Sequence, residues 1–302
     1  MRVKVLGAAA GGGFPQWNCR CSNCRKLRQG SLRGAPRTQA QLAISSGDRW
    51  HLVNASPDLR AQIEATPELH PREGQRHTPI DSVTLTCAEL DQVLGLLLLR
   101  ESQALRVFAA GAVRRILLED NSMFGMVQRY PGQVDWIDIV SDVPFAIDPC
   151  IRATPLAVPG GYPLYVKGTR ATGSPVNEAV LALVIESATG GRLAYFPNAP
   201  SVDESWLPLM EQSDVLFFDG TFWTDDELIR VQCSGRTARD MGHLPVSGSG
   251  GTLERLAGLR HPRKLFIHVN NTNPMLDEDS AEYAAVRAAG WEVARDGMEF
   301  EL

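Results

Sequence analysis

Histidine is scarce in this chain of 302 residues, with six in all: His51, His70, His77, His243, His261 and His268. Metal-assisted hydrolysis of a phosphodiester or ester needs well-formed imidazole ligation around a metal-bound hydroxide, so the scarcity weighs against it. Long apolar runs are missing too. The longest, residues 93–99, has seven residues with a glycine inside it, whereas roughly 20 are needed to cross a bilayer. There is no excess of positive charge: 30 Lys and Arg face 35 Asp and Glu, for a net charge of -5. That balance excludes a nucleic-acid protein driven by phosphate contacts. No repeat, heptad pattern or low-complexity tract is visible. The opening MRVKVLGAAAGGGFP breaks its apolar stretch with glycines, which makes a poor signal peptide and reads better as a strand and loop. The expectation is a soluble, cytoplasmic protein with neither a membrane nor a nucleic acid as partner.

What is present is an ordinary globular composition, 44% hydrophobic and 22% charged, in a chain long enough to bury a large core. Strands are predicted over 2–6, 82–86, 106–109, 215–218, 264–268, 291–294 and 298–302. Hairpins are predicted over 39–54 and 179–196. Helical spacing falls on 57–65, 89–101, 111–120, 252–259 and 280–289. Antiparallel-looking strand groups with helices between them suit two sheets packed together with helices outside. No Pro-, Gly- or Ser-rich linker divides the chain, so a single domain over 1–302 is expected.

Three of the six cysteines fall within six residues, in WNCRCSNCRK at 17–26. Thiolates spaced as Cys19, Cys21 and Cys24 can converge on one tetrahedral Zn²⁺, with a fourth ligand from elsewhere. Arg20, Arg25 and Lys26 stand ready to offset their charge. The plainer alternative is a loop of three reduced cysteines with no metal. Glu89 and Asp91 directly follow an apolar strand, where α/β proteins place functional side chains. On spacing alone they are better read as ordinary acids at a helix N-terminus. Asp219, His243 and His268 sit at strand ends or turns, in VLFFDGT, MGHLP and LFIHVNNTNP. Ligand or catalytic roles are favoured for the two histidines, because both are flanked by turn residues.

In order, LGAAAGGGFPQWNCRCSNC, NASPDLR, LTCAELDQVLGLLLLRE, FFDGT, MGHLP and IHVNNTNP run along essentially the whole chain. The series closely resembles the coenzyme PQQ synthesis protein B family, and its first and last motifs are the specific ones. The resemblance implies an α/β (α+β) fold, the metallo-β-lactamase-like four-layer αββα sandwich of two mixed sheets. The periodicity alone could not name that fold. The superfamily's main metal motif is H-x-H-x-D-H, and the matching stretch here is Cys87-Ala88-Glu89-Leu90-Asp91-Gln92. Only the aspartate is kept, and Gln92 stands where many family members retain a histidine. Pro159-Gly160-Gly161 lies where a third metal-binding histidine is often found, and Asn198 lies near the usual bridging aspartate. His243 and Asp219 resemble elements of ribonuclease Z-like members, and His268 resembles the superfamily's last histidine. In relatives with the same cysteine knuckle, a histidine of this region completes a structural zinc. The resemblance therefore favours His268 as the ligand that joins Cys19, Cys21 and Cys24, over a place in the cleft.

For function the resemblance implies pyrroloquinoline quinone (PQQ) biosynthesis. The reaction would be an iron-dependent hydroxylation of the tyrosine ring of a glutamate–tyrosine product cut from a precursor peptide, with O₂ as co-substrate. Zn²⁺ would be structural and Fe²⁺ catalytic. Asp91 and His243 are the expected ligands of the active metal, with Glu89 and Asp219 lining the same cleft. Asp58 and Arg100 are the expected contacts to the charged substrate, since arginine suits carboxylate recognition. A homodimer is compatible with this picture. Two other functions stay open: a non-catalytic carrier of PQQ or its precursor, and a degenerate metal-dependent hydrolase.

Overall fold

The computed structural model describes residues 1–101, 103–166 and 178–302. Its strands in chain order are β1 (Arg2–Gly7), β2 (Gln41–Ser45), β3 (Trp50–Val53), β4 (Ile80–Thr84), β5 (Leu105–Ala110), β6 (Val134–Ile139) and β7 (Phe145–Ala146). They continue with β8 (Ile151–Ala157), β9 (Leu181–Ser187), β10 (Arg192–Phe196), β11 (Val215–Asp219), β12 (Arg263–Ile267), β13 (Trp291–Val293) and β14 (Glu299–Glu301). The chain divides into two compact units: residues 1–6, 41–191 and 297–302 form the first, and residues 7–40 and 192–296 the second.

The first unit holds a sheet in the order β14-β1-β2-β3-β4-β5-β6. β2 and β3 form the expected antiparallel hairpin, while β3 to β6 run parallel. Parallel neighbours need crossover connections, and helices supply them. Helix Leu59–Glu64 precedes β4, and helix Gly111–Leu118 follows β5. β2 and β3 are buried at every residue, as expected where both faces of a sheet are covered. The core gathers Trp50, Leu52, Val83, Leu85, Val107, Phe108, Val113 and Leu117. β7, β8 and β9 add an antiparallel group within this unit.

The helix expected over 89–101 takes another form. Only Leu90–Val93 is α-helical, and Leu94–Leu99 is a 3-10 helix. Gly95 is the reason. Its N–H donates to Ala55 O at 2.8 Å, and a Cβ there would stand 2.3 Å from Ser56 O. The run LGLLLL also carries no 3.6-residue period to hold an α-helix in register. The helix expected over 252–259 is likewise short, Thr252–Arg255.

The second unit is built on four parallel strands, β10 to β13. β11, Val-Leu-Phe-Phe-Asp, is buried throughout. Phe266 of β12 stacks on Trp291 of β13 with ring centroids 4.3 Å apart. The crossover between those strands is helix Ala281–Ala288, whose first turn is capped by Ser280 Oγ accepting from Tyr283 N. Residues 8–10 bridge to Val269. Asp296 secures them by accepting from Ala8 N, Thr38 N and Thr38 Oγ1. The chemistry-bearing side chains emerge where β11 and β12 end, the carboxyl edge at which parallel α/β sheets place function.

Candidate metal centres

β11 ends on Asp219, and Gly220 lets it end there. A Cβ on Gly220 would stand 2.6 Å from Phe266 Cβ, so only glycine allows the chain to leave the strand so close to β12. Asp219 is 0% exposed, and four donors meet its carboxylate. Oδ1 accepts from Thr221 N (2.9 Å) and Thr221 Oγ1 (2.6 Å); Oδ2 accepts from Ala199 N (2.8 Å) and His243 Nδ1 (2.7 Å). A carboxylate offers about four lone-pair sites, so Asp219 is saturated by the protein. Burial would push its carboxyl up, but the imidazoles of His243 and His268 and the Thr221 hydroxyl hold it below the usual carboxylate value. It is therefore an anionic anchor. It stands, as expected from sequence, with His243, but as a buried neighbour that holds the ring rather than an exposed one.

His268 follows the last residue of β12 with φ of 58°. A left-handed backbone costs an L-residue roughly 1–2 kcal/mol, and such strain gathers where geometry serves a site. Its Nδ1 lies 2.9 Å from Thr221 Oγ1. The Thr221 hydroxyl proton goes to the charged Asp219, so its oxygen accepts from His268 Nδ1–H. The His243 Nδ1–H likewise donates to Asp219 Oδ2. Both rings are thus the tautomer that carries its lone pair on Nε2, the state in which metal-binding histidines are held by a carboxylate or hydroxyl behind them. The rings stack 5.5 Å apart at 26°, and Phe222 packs edge-on against His243 at 5.7 Å. Asp219, His243 and His268 form one group whose ligand atoms lie within 4.8 Å of one another.

Cys19, Cys21 and Cys24 form a second such group. Cys21 is the N-cap of helix Ser22–Arg28 and Cys24 lies in its first turn. Arg28 holds the preceding loop through Cys19 O and Gln16 O, both at 2.5 Å. Lys26 is engaged by Asp277 at 3.0 Å, so it is not the counter-charge expected from sequence. His268 does not join this group. Instead the side-chain amide of Asn271 points at it, 3.1 Å from Cys19 Sγ, 3.6 Å from Cys21 Sγ and 3.3 Å from Cys24 Sγ. Asn23 fixes the turn that carries Asn271, donating to Asn271 O (3.2 Å) and Asn273 O (2.8 Å). In a tetrahedral zinc site with Zn–S near 2.3 Å and Zn–O near 2.0 Å, the edge between ligands is about 3.5 Å. The amide terminus thus sits where a fourth ligand sits, and turning the amide over presents its oxygen there. Burial and the neighbouring thiols push Cys21 up to about 12. A set this crowded ionises together only around a cation, so these residues fit the zinc that the spacing implies.

Asp91 and Glu89 belong to the first unit. Glu89 is exposed, Asp91 is half-buried in the first turn of Leu90–Val93, and both act electrostatically on buried Cys87. Gln92 is buried, and Thr86 Oγ1 donates to its Oε1 at 2.6 Å. Asp58 begins helix Leu59–Glu64, and its backbone N–H donates to Ser56 Oγ. Arg100 is exposed, bonded to Leu97 O at 3.1 Å and paired with Glu101 at 3.7 Å. A cavity of about 400 Å³ in this unit is lined by Pro71, His77, Ile80, Leu98, Glu101 and Leu105, among others. Asp58, Glu89, Asp91 and Arg100 are not among its lining. Sequence reasoning missed Thr221 and Asn271, although both lie in motifs it quoted, FFDGT and IHVNNTNP.

Residues 49–269 match the beta-lactamase superfamily domain. The chain is 46% identical over 305 residues to coenzyme PQQ synthesis protein B of Azotobacter vinelandii, with 100% of both chains covered. It is 44% identical over 306 residues to the protein of that name from a Methylobacterium species, again with 100% of both covered. Among solved structures, Zn²⁺-bound PqqB from Methylobacterium extorquens superposes with a TM-score of 0.93 at 42% identity, covering 100% of each chain. A diphosphatase of the PhnP family superposes at 0.70 with 17% identity, over 100% of this chain and 97% of that one. That second likeness carries the fold alone. The fold is that of the metallo-β-lactamases, two mixed sheets with helices.

Proposed function

This chain belongs to the coenzyme PQQ synthesis protein B family and serves PQQ biosynthesis as a metal-dependent enzyme, and from that premise we propose that its reaction is an iron-dependent oxygenation of a tyrosine ring. The proposed substrate is the glutamate–tyrosine product of a small precursor peptide, with O₂ as co-substrate. The observation that supports this reading is the pair of imidazoles, His243 and His268, with both Nδ1 protons committed to Asp219 and Thr221. When bound there, iron supplies a redox-active centre with open positions for O₂ and substrate.

The protein's own part is positioning. Asp219 and Thr221 set both tautomers and hold the rings near parallel, so the two Nε2 lone pairs are ready before any ion arrives. Asp219 acts as a positioning residue in this reading, and His243 and His268 as ligands. Asp91 is proposed as a ligand on the family motif alone, with Glu89 beside it. Asp58 and Arg100 are the proposed substrate contacts. Arg100 would have to exchange its Glu101 partner for a substrate carboxylate. The thiol group with Asn271 is proposed as the structural zinc site, a closed set that leaves no position for chemistry.

The test is metal content per chain after anaerobic loading with Fe²⁺, followed by O₂ uptake with the cross-linked glutamate–tyrosine substrate. About one zinc and one iron, and a product heavier by oxygen, are expected. The His243→Ala variant should keep its zinc and lose its iron. A protein that holds zinc alone and consumes no O₂ would replace this reading with the carrier.

A further inference from the structure

In the first unit, the acidic turn that carries Glu89 and Asp91 is entered through the Ala88–Glu89 peptide, and that peptide is gripped at both ends. Its N–H, on Glu89, donates to Cys87 Sγ at 3.4 Å. Its carbonyl, on Ala88, accepts from the Tyr165 hydroxyl. Ala88 is 1% exposed, so its carbonyl needs a donor from within the protein. The neighbouring residues are held as well. Thr86 O accepts from Leu181 N at 2.8 Å, Cys87 bridges to Val180, and Glu89 O accepts from Gln92 N at 2.9 Å. Tyr165 is a side chain that reaches in from 77 positions along the chain.

The chain is shaped to deliver that hydroxyl. Val166 N donates to Pro163 O at 2.9 Å and closes a turn. The turn leaves Leu164 84% exposed, while Tyr165 packs with Tyr162 and Val166 against the buried cluster to which Ala88 belongs. Apolar burial alone would favour the leucine inside. Here an inward place goes to the ring that carries a donor. Burial, with Glu89 and Cys87 nearby, pushes the Tyr165 phenol up, so the hydroxyl keeps its proton. Nothing in the proposed reaction uses it.

We propose that Tyr165 is a positioning residue: by fixing the Ala88–Glu89 peptide, its hydroxyl aims the Asp91 carboxylate at the active metal. The proposal rests on the reading of Asp91 as a ligand of that metal. A peptide unit is planar and stiff, so with both ends held the turn starts at one angle. Glu89 is the N-cap of helix Leu90–Val93, and Asp91 stands in its first turn. Little backbone freedom therefore lies between the hydroxyl and the carboxylate. Without the hydroxyl the Ala88 carbonyl can swing, and an arriving ion must bear the ordering that the protein now supplies in advance.

Tyr165→Phe removes the hydroxyl and keeps the ring. The experiment measures anaerobic Fe²⁺ affinity of the zinc-loaded protein by competition with a chromogenic chelator, for Tyr165→Phe, Asp91→Ala and the double variant. Tyr165→Phe is expected to bind about tenfold more weakly, as when a ligand loses its supporting partner. Because Tyr165 acts through Asp91, the double variant should bind no more weakly than Asp91→Ala alone. A residue that merely helps the first unit to fold would show no such coupling, and the two losses would add. Parental affinity in Tyr165→Phe, or additive losses, overturns the proposal and leaves the Asp91 reading standing. Parental affinity in Asp91→Ala, or no Fe²⁺ binding by the parent protein, overturns that reading and the proposal with it.

Discussion

At the scale of single residues, the two most informative side chains are a buried acid and a buried base. Asp219 satisfies four donors, so Asp219→Asn puts an amide N–H against at least one of them. A metal-binding imidazole that loses its supporting partner typically costs 10- to 100-fold in affinity. That loss is the expected outcome for the ion held by His243 and His268, read by competition with a chelator, while zinc at the thiols is retained. His51, in the first unit, is 1% exposed. Its Nε2–H donates to Asp148 Oδ2 at 3.0 Å, and its Nδ1 accepts from Ser82 Oγ at 2.8 Å. Burial lowers its pKa despite Asp148 and Asp81 nearby. The unfolded chain therefore binds this proton first as pH falls through about 6.5, and stability drops there by at most about 1.4 kcal/mol per pH unit. Melting should worsen between pH 7.5 and 5.5, and His51→Gln should flatten that slope. The residue scale is also where the sequence misleads. The cysteine spacing announced its site, but a left-handed backbone at His268 is invisible in a string of letters, so His268 was expected beside the thiols. An asparagine carries no presumption of metal binding, so Asn271 was passed over although it lies in the same motif as His268.

At the scale of elements, strand identities were legible because buried strands such as β11 are short, apolar and bounded by turn residues. Helices were legible where the period was clear, as in Gly111–Leu118 and Ala281–Ala288. The helix expected over 89–101 failed because of close packing at a glycine, which no periodicity encodes. Gly95 presses a 3-10 turn onto Ala55 and Ser56, and Gly220 lets β11 leave the sheet against Phe266. Gly220→Ala should force the strands apart and cost about 1–3 kcal/mol, as overpacking does. Differential scanning calorimetry should show a lower midpoint, by about 2–4 °C for each kcal/mol. A melt that matches the parent protein would mean the turn yields more readily than its geometry indicates.

For the whole molecule, the motif series was readable end to end, and the family comparison spans the same length. No helix among the described residues is long and apolar enough to cross a membrane, in line with the missing apolar runs. What the series could not supply was which donors share an ion, because that depends on where chain segments some 250 positions apart are brought together, as Cys19 and Asn271 are. Zinc that binds the folded state alone stabilises it by mass action. Stripping the protein with a thiol-compatible chelator should lower its melting midpoint, and adding back zinc should restore it. The shift should shrink sharply in Cys24→Ser, because Cys24 is the fully buried member of the set.

His268 and Asn271 lie three positions apart on one turn, a stretch that spans at most about 10 Å. One faces the imidazole group and the other the thiols. The turn therefore joins the two groups by a short stretch of backbone, so a shift of Asn271 has little chain in which to dissipate before it reaches His268. A coloured ion such as cobalt, seated among the sulfurs, would then serve as an antenna. Its absorption would register the arrival of a second ion at the imidazoles without any reaction taking place.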